Sequence, residues 1–251
     1  MEARKIIITG GATRIGAAIA EKLSGHKREI VIHFNKSRAK AIRLKKKLEK
    51  NGGKVYLVKG NLNREEDIKN IIKSSKKYLK YFDCLINNAS MFENDKLENF
   101  SSDSWNKHLN INLKAPAILT KEFAKNIKGK NNNIINIIDQ RVFKLTPFFF
   151  SYTLSKTGLY TLTKTSAMSL APKIRVNGIA PGPTIKNKRQ SKIHFKKQFL
   201  ATPLKQQVNI NEISNAVDFF IKSSSVTGQV ISIDSGQSLN WQTPDIMRGK
   251  E

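Results

Sequence analysis

With a single cysteine, Cys84, the 251-residue chain cannot form an internal disulfide or a cysteine-rich metal site, and its 4 histidines are too few for a histidine cluster. No stretch approaches the roughly 18 consecutive apolar residues that a membrane span needs. The opening MEARKIIITG passes from a short charged lead straight into a strand-like run, unlike a secretory signal. Internal repeats, low-complexity linkers and composition breaks are missing too, which predicts one domain over 1–251. Acids are scarce, 19 against 45 Lys+Arg, giving a net charge of +26. A charge of that size attracts polyanions at low salt. The basic residues, however, are spread along the chain without aromatic interleaving. They also accompany abundant Ile and Asn, as in KLEKNGGK and NIKGKNNNIINII, which fits a bias toward A/T-rich codons. The expectation is a cytoplasmic, metal-free protein with no membrane or nucleic-acid partner.

What is present is an alternation. Short β-branched runs at Lys5 to Thr9, Glu29 to Phe34, Lys54 to Val58, Cys84 to Asn87, Asn133 to Ile138, Arg175 to Ile179 and Val230 to Ile233 read as buried parallel strands. Helix-like segments separate them: Ile15 to Ser24, Ala39 to Asn51, Glu65 to Leu79, Trp105 to Ile127, Tyr152 to Leu170 and Asn211 to Lys222. The pattern predicts an α/β chain of Rossmann-like, doubly wound type, with helices on both faces of a mostly parallel sheet. An irregular stretch from Pro181 to about Pro203 stands out, and its length is that of a binding loop or lid. Its basic run, Lys186, Lys188, Arg189 and Lys192, suits an anionic or polar substrate tail.

The first strand runs into Thr9-Gly10-Gly11-Ala12-Thr13-Arg14-Ile15-Gly16. Glycines permit a tight turn, and the N-terminus of the following helix offers free N–H groups to a pyrophosphate. Where a dinucleotide-binding unit usually places an acid for the ribose 2′-hydroxyl, the second strand ends instead in His33-Phe34-Asn35-Lys36-Ser37-Arg38. Cations without a carboxylate favour a 2′-phosphate, hence NADPH.

At this point the chain resembles the short-chain dehydrogenase/reductase family over nearly its whole length. The resemblance rests on Gly10 and Gly16, Asn87-Asn88-Ala89 after the fourth strand, Asn112, Tyr152-x-x-x-Lys156, and Pro181-Gly182 after the sixth strand, all in family order. It implies a seven-stranded sheet, a nicotinamide cofactor and a homotetramer or homodimer. It also implies cofactor contacts from Ile15, Asn88, Ala89, Ser90, Pro181, Gly182 and Thr184. Asn61-Leu62 stands where the family commonly has Asp-Leu beside the adenine, a departure confined to that one contact.

Tyr152 and Lys156 lie one helical turn apart, and a neighbouring ammonium is expected to lower the phenol pKa. The resemblance implies that Tyr152 donates the proton, Lys156 holds the nicotinamide ribose and Asn112 supports a water relay. The family's fourth position usually holds a serine that hydrogen-bonds a carbonyl, yet here it is Asp139. An ionised carboxylate only accepts hydrogen bonds and would repel a developing oxyanion. It suits a substrate with N–H groups, or one needing a relayed proton.

Arg14 in place of the middle glycine, Asn87-Asn88-Ala89-Ser90-Met91-Phe92 and His33-Phe34-Asn35-Lys36-Ser37 look like the pteridine reductase branch. That branch implies a pterin stacked by Phe92, contacted by Ser90 and Arg14, and supplied with protons through Asp139 and Tyr152. The expected activity is NADPH-dependent reduction of a dihydropterin, as in pteridine, dihydromonapterin or dihydrofolate reductases. Two alternatives stay open: a generic carbonyl or 3-oxoacyl reductase of the same family, and a non-catalytic NADP-binding protein with a polyanion partner.

Overall fold

Ile6, Ile7 and Ile8 expose no surface at all. Three consecutive β-branched residues favour an extended chain, and burying all of them requires cover on both faces. The computed structural model describes residues 5–25, 27–187 and 190–241 and provides that cover. Seven parallel strands, β1 (Lys5–Ile8), β2 (Glu29–Phe34), β3 (Lys54–Lys59), β4 (Cys84–Asn87), β5 (Asn132–Ile137), β6 (Ile174–Pro181) and β7 (Val230–Ile233), form one sheet. Their order is β3-β2-β1-β4-β5-β6-β7.

Alternation along each strand divides the core in two. Ile6, Ile8, Ile30 and Ile32 meet helices α1 (Arg14–Leu23), α2 (Arg38–Lys50) and, through Val217 and Phe220, α8 (Ile210–Lys222). Ile7, Val31, Leu85 and Ile134 face the other way, onto α3 (Glu65–Leu79), α5 (Ala115–Ala124) and α6 (Phe150–Leu170). Each such side chain contributes about 1.5–3 kcal/mol when taken from water. The strand order reverses between β1 and β4, so the loops leaving their carboxyl ends diverge and open a crevice, the position at which such sheets bind ligands.

Two segments differ from the sequence reading. The stretch from Trp105 to Ile127 is not one uniform helix: α4 (Ser102–Leu109) passes through a π turn, Asn110–Lys114, into α5. Pro116 has no N–H to return to the Asn112 carbonyl, which removes one α-helical bond where the helix widens. The second segment, 181–203, is not irregular throughout. It contains α7 (Lys192–Leu200), capped by Ser191, whose hydroxyl accepts from the His194 N–H at 3.0 Å, and anchored by buried Phe195. Lys188 and Arg189 lie outside the described residues. Among the described residues no helix is long and apolar enough to cross a membrane, and no group of three metal-ligating side chains assembles.

Candidate active site

The turn after β1 takes its shape from contacts that leave no room for side chains. Gly10 has φ +60°, and a Cβ on Gly16 would stand 2.4 Å from the Gly10 carbonyl oxygen and 2.5 Å from Asn88 Nδ2. Asn88 Nδ2 donates to the carbonyls of Thr9 (2.9 Å) and Gly10 (3.2 Å), while the Thr9 hydroxyl accepts from the N–H groups of Asn88 and Ala89. The β1 and β4 loops are thereby stitched together. His33 lies beneath the turn, with 2% exposure. Its Nδ1 accepts from the Gly10 N–H at 3.2 Å, so Nε2 carries the hydrogen that reaches the Gly60 carbonyl at 3.1 Å. Burial pushes its pKa down to about 4. His33 therefore braces the turn, and Phe34 packs into the core; the exposed residues at this end of β2 are Asn35, Lys36 and Arg38, with Ser37 half-buried between them.

Helix α1 has no side-chain N-cap and no acid in its first turn, so among the described residues neither of these competes for its leading N–H groups. Arg14 takes φ +54°, the left-handed conformation that explains a glycine at this position elsewhere. Its guanidinium reaches across to the carbonyls of Ile185 (2.8 Å) and Lys186 (3.0 Å), tying the turn to the segment after β6. In that segment Gly182 packs against Asp234 and the Thr184 hydroxyl donates to the Gly182 carbonyl. Asn61 and Leu62 follow β3. The Asn61 amide oxygen accepts from the Asn63 N–H and Leu62 is buried. A glycine cradle, a free helix terminus and a solvent-facing Lys36 together fit a phosphorylated dinucleotide.

At the other end of the crevice, Asp139 follows β5 and Tyr152 lies in the first turn of α6. The Tyr152 hydroxyl donates to Asp139 Oδ2 at 2.7 Å, and Oδ1 accepts from the Arg141 N–H at 2.9 Å. Lys156 is 2% exposed and donates to the Ile137 carbonyl at 2.9 Å. Burial lowers its pKa to about 8, against the opposing pull of Asp139. The expected lowering of the Tyr152 pKa is not what this geometry produces. Burial raises it well above the ordinary value, and Asp139 adds to the rise. Lys156 lies 5.8 Å from the Tyr152 ring centroid with a proton committed to the Ile137 carbonyl, while the carboxylate sits on the hydroxyl itself.

Phe92 stands edge-on to Tyr152 with centroids 4.6 Å apart and stacks face to face on Phe149 at 4.5 Å and 7°. The Arg141 guanidinium covers Phe149 at 4.4 Å. Asn112 is fully buried within the π turn. Its Oδ1 accepts from the Met91 N–H (2.9 Å) and the Ser90 hydroxyl (3.2 Å), and its Nδ2 donates to the Met91 carbonyl (3.0 Å) and Ser155 Oγ (2.9 Å). Asn112 thus pins the loop that carries Ser90 and Phe92.

With the crevice, the glycine turn and the Tyr152/Lys156 pair in place, residues 4–196 match the profile described as short chain dehydrogenase. The chain belongs to the short-chain dehydrogenase family. Glucose 1-dehydrogenase 2 of Bacillus subtilis is 29% identical over 93% of this chain and 94% of its own length. The 3-oxoacyl-(acyl-carrier-protein) reductase FabG of Buchnera aphidicola is 32% identical over 93% and 97%. Among solved structures, FolM alternative dihydrofolate reductase 1 of Brucella canis, complexed with NADP, superposes with a TM-score of 0.92 at 40% identity, covering 96% of each chain. The Brucella reductase shares the fold described above.

Sequence reasoning brings Asp139, Tyr152, Phe92, Ser90 and Asn112 to one place, and the structure assembles them there. Sequence reasoning did not single out Phe149, Asp95, His108 or Ser151, which lie beside them. Phe149 is one of three consecutive phenylalanines before Tyr152, and its φ of +59° is invisible in that run.

Proposed function

We propose that the chain reduces a dihydropterin with NADPH, dihydrofolate and dihydrobiopterin being the substrates to test first. The observation that carries this reading is Asp139 at 2.7 Å from the Tyr152 hydroxyl. A carboxylate there accepts from the amino and ring N–H groups of a flat heterocycle and has no donor for a ketone oxyanion. Phe92, backed by the stacked Phe149 ring, supplies an aromatic face for such a ring. The likeness to the Brucella FolM reductase at 40% identity supports the same substrate class. The cofactor brings the hydride chemistry. Tyr152 gives its proton to the ring nitrogen adjacent to the reduced carbon, and Asp139 orients the heterocycle and passes a replacement proton inward from solvent. Lys156 fixes the nicotinamide ribose. Gly10, Arg14, Ile15 and Gly16 hold the pyrophosphate, Lys36 and Ser37 the 2′-phosphate, and Asn61 and Leu62 the adenine. The segment 181–203 closes over the substrate, and the enzyme works in the cytoplasm as a homotetramer or homodimer.

The test is NADPH oxidation against dihydropterins, folates and simple ketones. Asp139→Ala is expected to lower dihydropterin turnover roughly 10²- to 10⁴-fold, the usual loss for an acid/base group. Asp139→Ser restores a carbonyl-binding hydroxyl and is expected to create ketone activity while pterin turnover stays low. Efficient ketone reduction by the wild type, with full pterin activity in both variants, establishes the generic carbonyl or 3-oxoacyl reductase instead, the activity named for the Buchnera relative.

A further inference from the structure

Helix α6 is capped from a distant part of the chain. Its N-cap residue, Phe149, contributes no side-chain bond. Instead the Phe149 N–H donates to Asn94 Oδ1 at 3.2 Å, the Phe150 N–H to the Asp95 carbonyl at 3.2 Å and the Ser151 N–H to Asp95 Oδ1 at 3.1 Å. The loop between β4 and α4 that carries Phe92 therefore ends on the helix that carries Tyr152. A carboxylate at this helix terminus is also favoured by the dipole.

Beneath this junction the polar atoms admit one proton arrangement. The Ser151 hydroxyl donates to Asp95 Oδ2. Having donated, Ser151 Oγ accepts from His108 Nδ1 at 2.6 Å, which places the imidazole hydrogen on Nδ1. Nε2 is then the acceptor for the Glu93 N–H at 3.1 Å. Ser151 and His108 have no exposure and Asp95 has 7%. The His108 ring meets the Tyr152 ring edge-on at 6.0 Å.

We propose that Asp95, Ser151 and His108 form a buried clamp that sets Phe92 against Tyr152, with neutral His108 as the positioning residue that holds the substrate platform. The proposal rests on the reading of Phe92 as a platform for the substrate. Protonated His108 has no acceptor for the Glu93 N–H, so acid opens the clamp on its loop side. The groups facing His108 are Asp95 and Glu93 from the loop, the Ser151 hydroxyl and neutral Tyr152 ring from α6, and the Ser104 carbonyl from α4. Lys107 and Asp103 pair with each other on the exposed side of α4. Burial lowers the His108 pKa, while Asp95, Glu93 and the Ser104 carbonyl oppose that shift.

The test uses the full chain with NADPH and the dihydropterin that the wild type turns over. His108→Phe keeps an aromatic ring without an acceptor. It is expected to raise the dihydropterin KM about tenfold, the scale of one lost buried hydrogen bond, with the NADPH KM unchanged and hydrogen-exchange protection of the Glu93 amide lost. Wild-type KM is expected to rise as pH falls below the ordinary histidine range. His108→Gln, whose amide oxygen accepts from the Glu93 N–H at any pH, removes that rise. Unchanged Glu93 protection in His108→Phe, or a parallel increase in both KM values, overturns the clamp. Should His108→Phe fail to fold, an undiminished acid rise in His108→Gln overturns it equally. No turnover of any dihydropterin by the wild type refutes the substrate reading, and the exchange measurement still decides the clamp.

Discussion

The two ends of the crevice are built on different principles. At the nucleotide end the turn is shaped by its backbone, and the polar side chains nearest it, His33, Asn88 and Thr9, are consumed in bracing Gly10 and its neighbours. At the other end the shape comes from side chains: Tyr152 on Asp139, Phe92 on Phe149, Lys156 held by the Ile137 carbonyl. A backbone site tolerates any side chain that leaves its shape intact, whereas a side-chain site fails with one atom.

Three experiments break or sharpen that contrast. The largest effect belongs to the Tyr152 end. Tyr152→Phe removes only the hydroxyl that meets Asp139, and turnover is expected to drop roughly 10²- to 10⁴-fold while NADPH binding, measured by fluorescence titration, holds. Retained turnover would mean that another group delivers the proton.

Next comes the brace. His33 has an ordinary value of 6.5 and a folded value of about 4. Between these pH values the unfolded chain binds the proton that the folded chain refuses, so stability rises with pH. The contribution is fully present above 6.5 and is lost as pH falls toward 4. The difference amounts to about 3 kcal/mol. Urea unfolding at pH 7 and pH 5 is expected to show this acid loss in the wild type and a smaller one in His33→Gln. Equal slopes in the two proteins would detach His33 from the glycine turn.

The smallest effect lies at the exposed rim, where Lys36 and Arg38 face solvent. Lys36→Ala with Arg38→Ala is expected to weaken NADPH roughly 10- to 100-fold, as for lost charge-assisted bonds to phosphate, and to leave NADH unchanged. An unaltered ratio of the two affinities overturns the 2′-phosphate assignment.

The same contrast explains what the sequence made legible. Gly10, Gly16 and the strand before them form a contiguous stretch whose backbone demands are written in residue type. Tyr152 and Lys156 share a face because they share a helix. Asp139 was legible as a departure from a motif, although its effect on Tyr152 was not, since that depends on burial and on Lys156 bonding the Ile137 carbonyl instead. The helix after Ser191 was hidden in a basic stretch whose single anchor, Phe195, is buried only by the assembled fold.

Strand and helix alternation, the parallel sheet, the glycine turn and the Tyr/Lys pair were determined by the sequence itself, because each follows from residues within one element or one turn of each other. Only the tertiary structure decided that Asp95, 56 residues before Ser151, caps the helix that carries Tyr152. It likewise decided that His108, 43 residues before the same serine, keeps its hydrogen on Nδ1. Neither pairing leaves a periodicity or a motif, because its geometry exists only once β4, α4 and α6 have packed around the sheet and excluded water from the polar atoms between them.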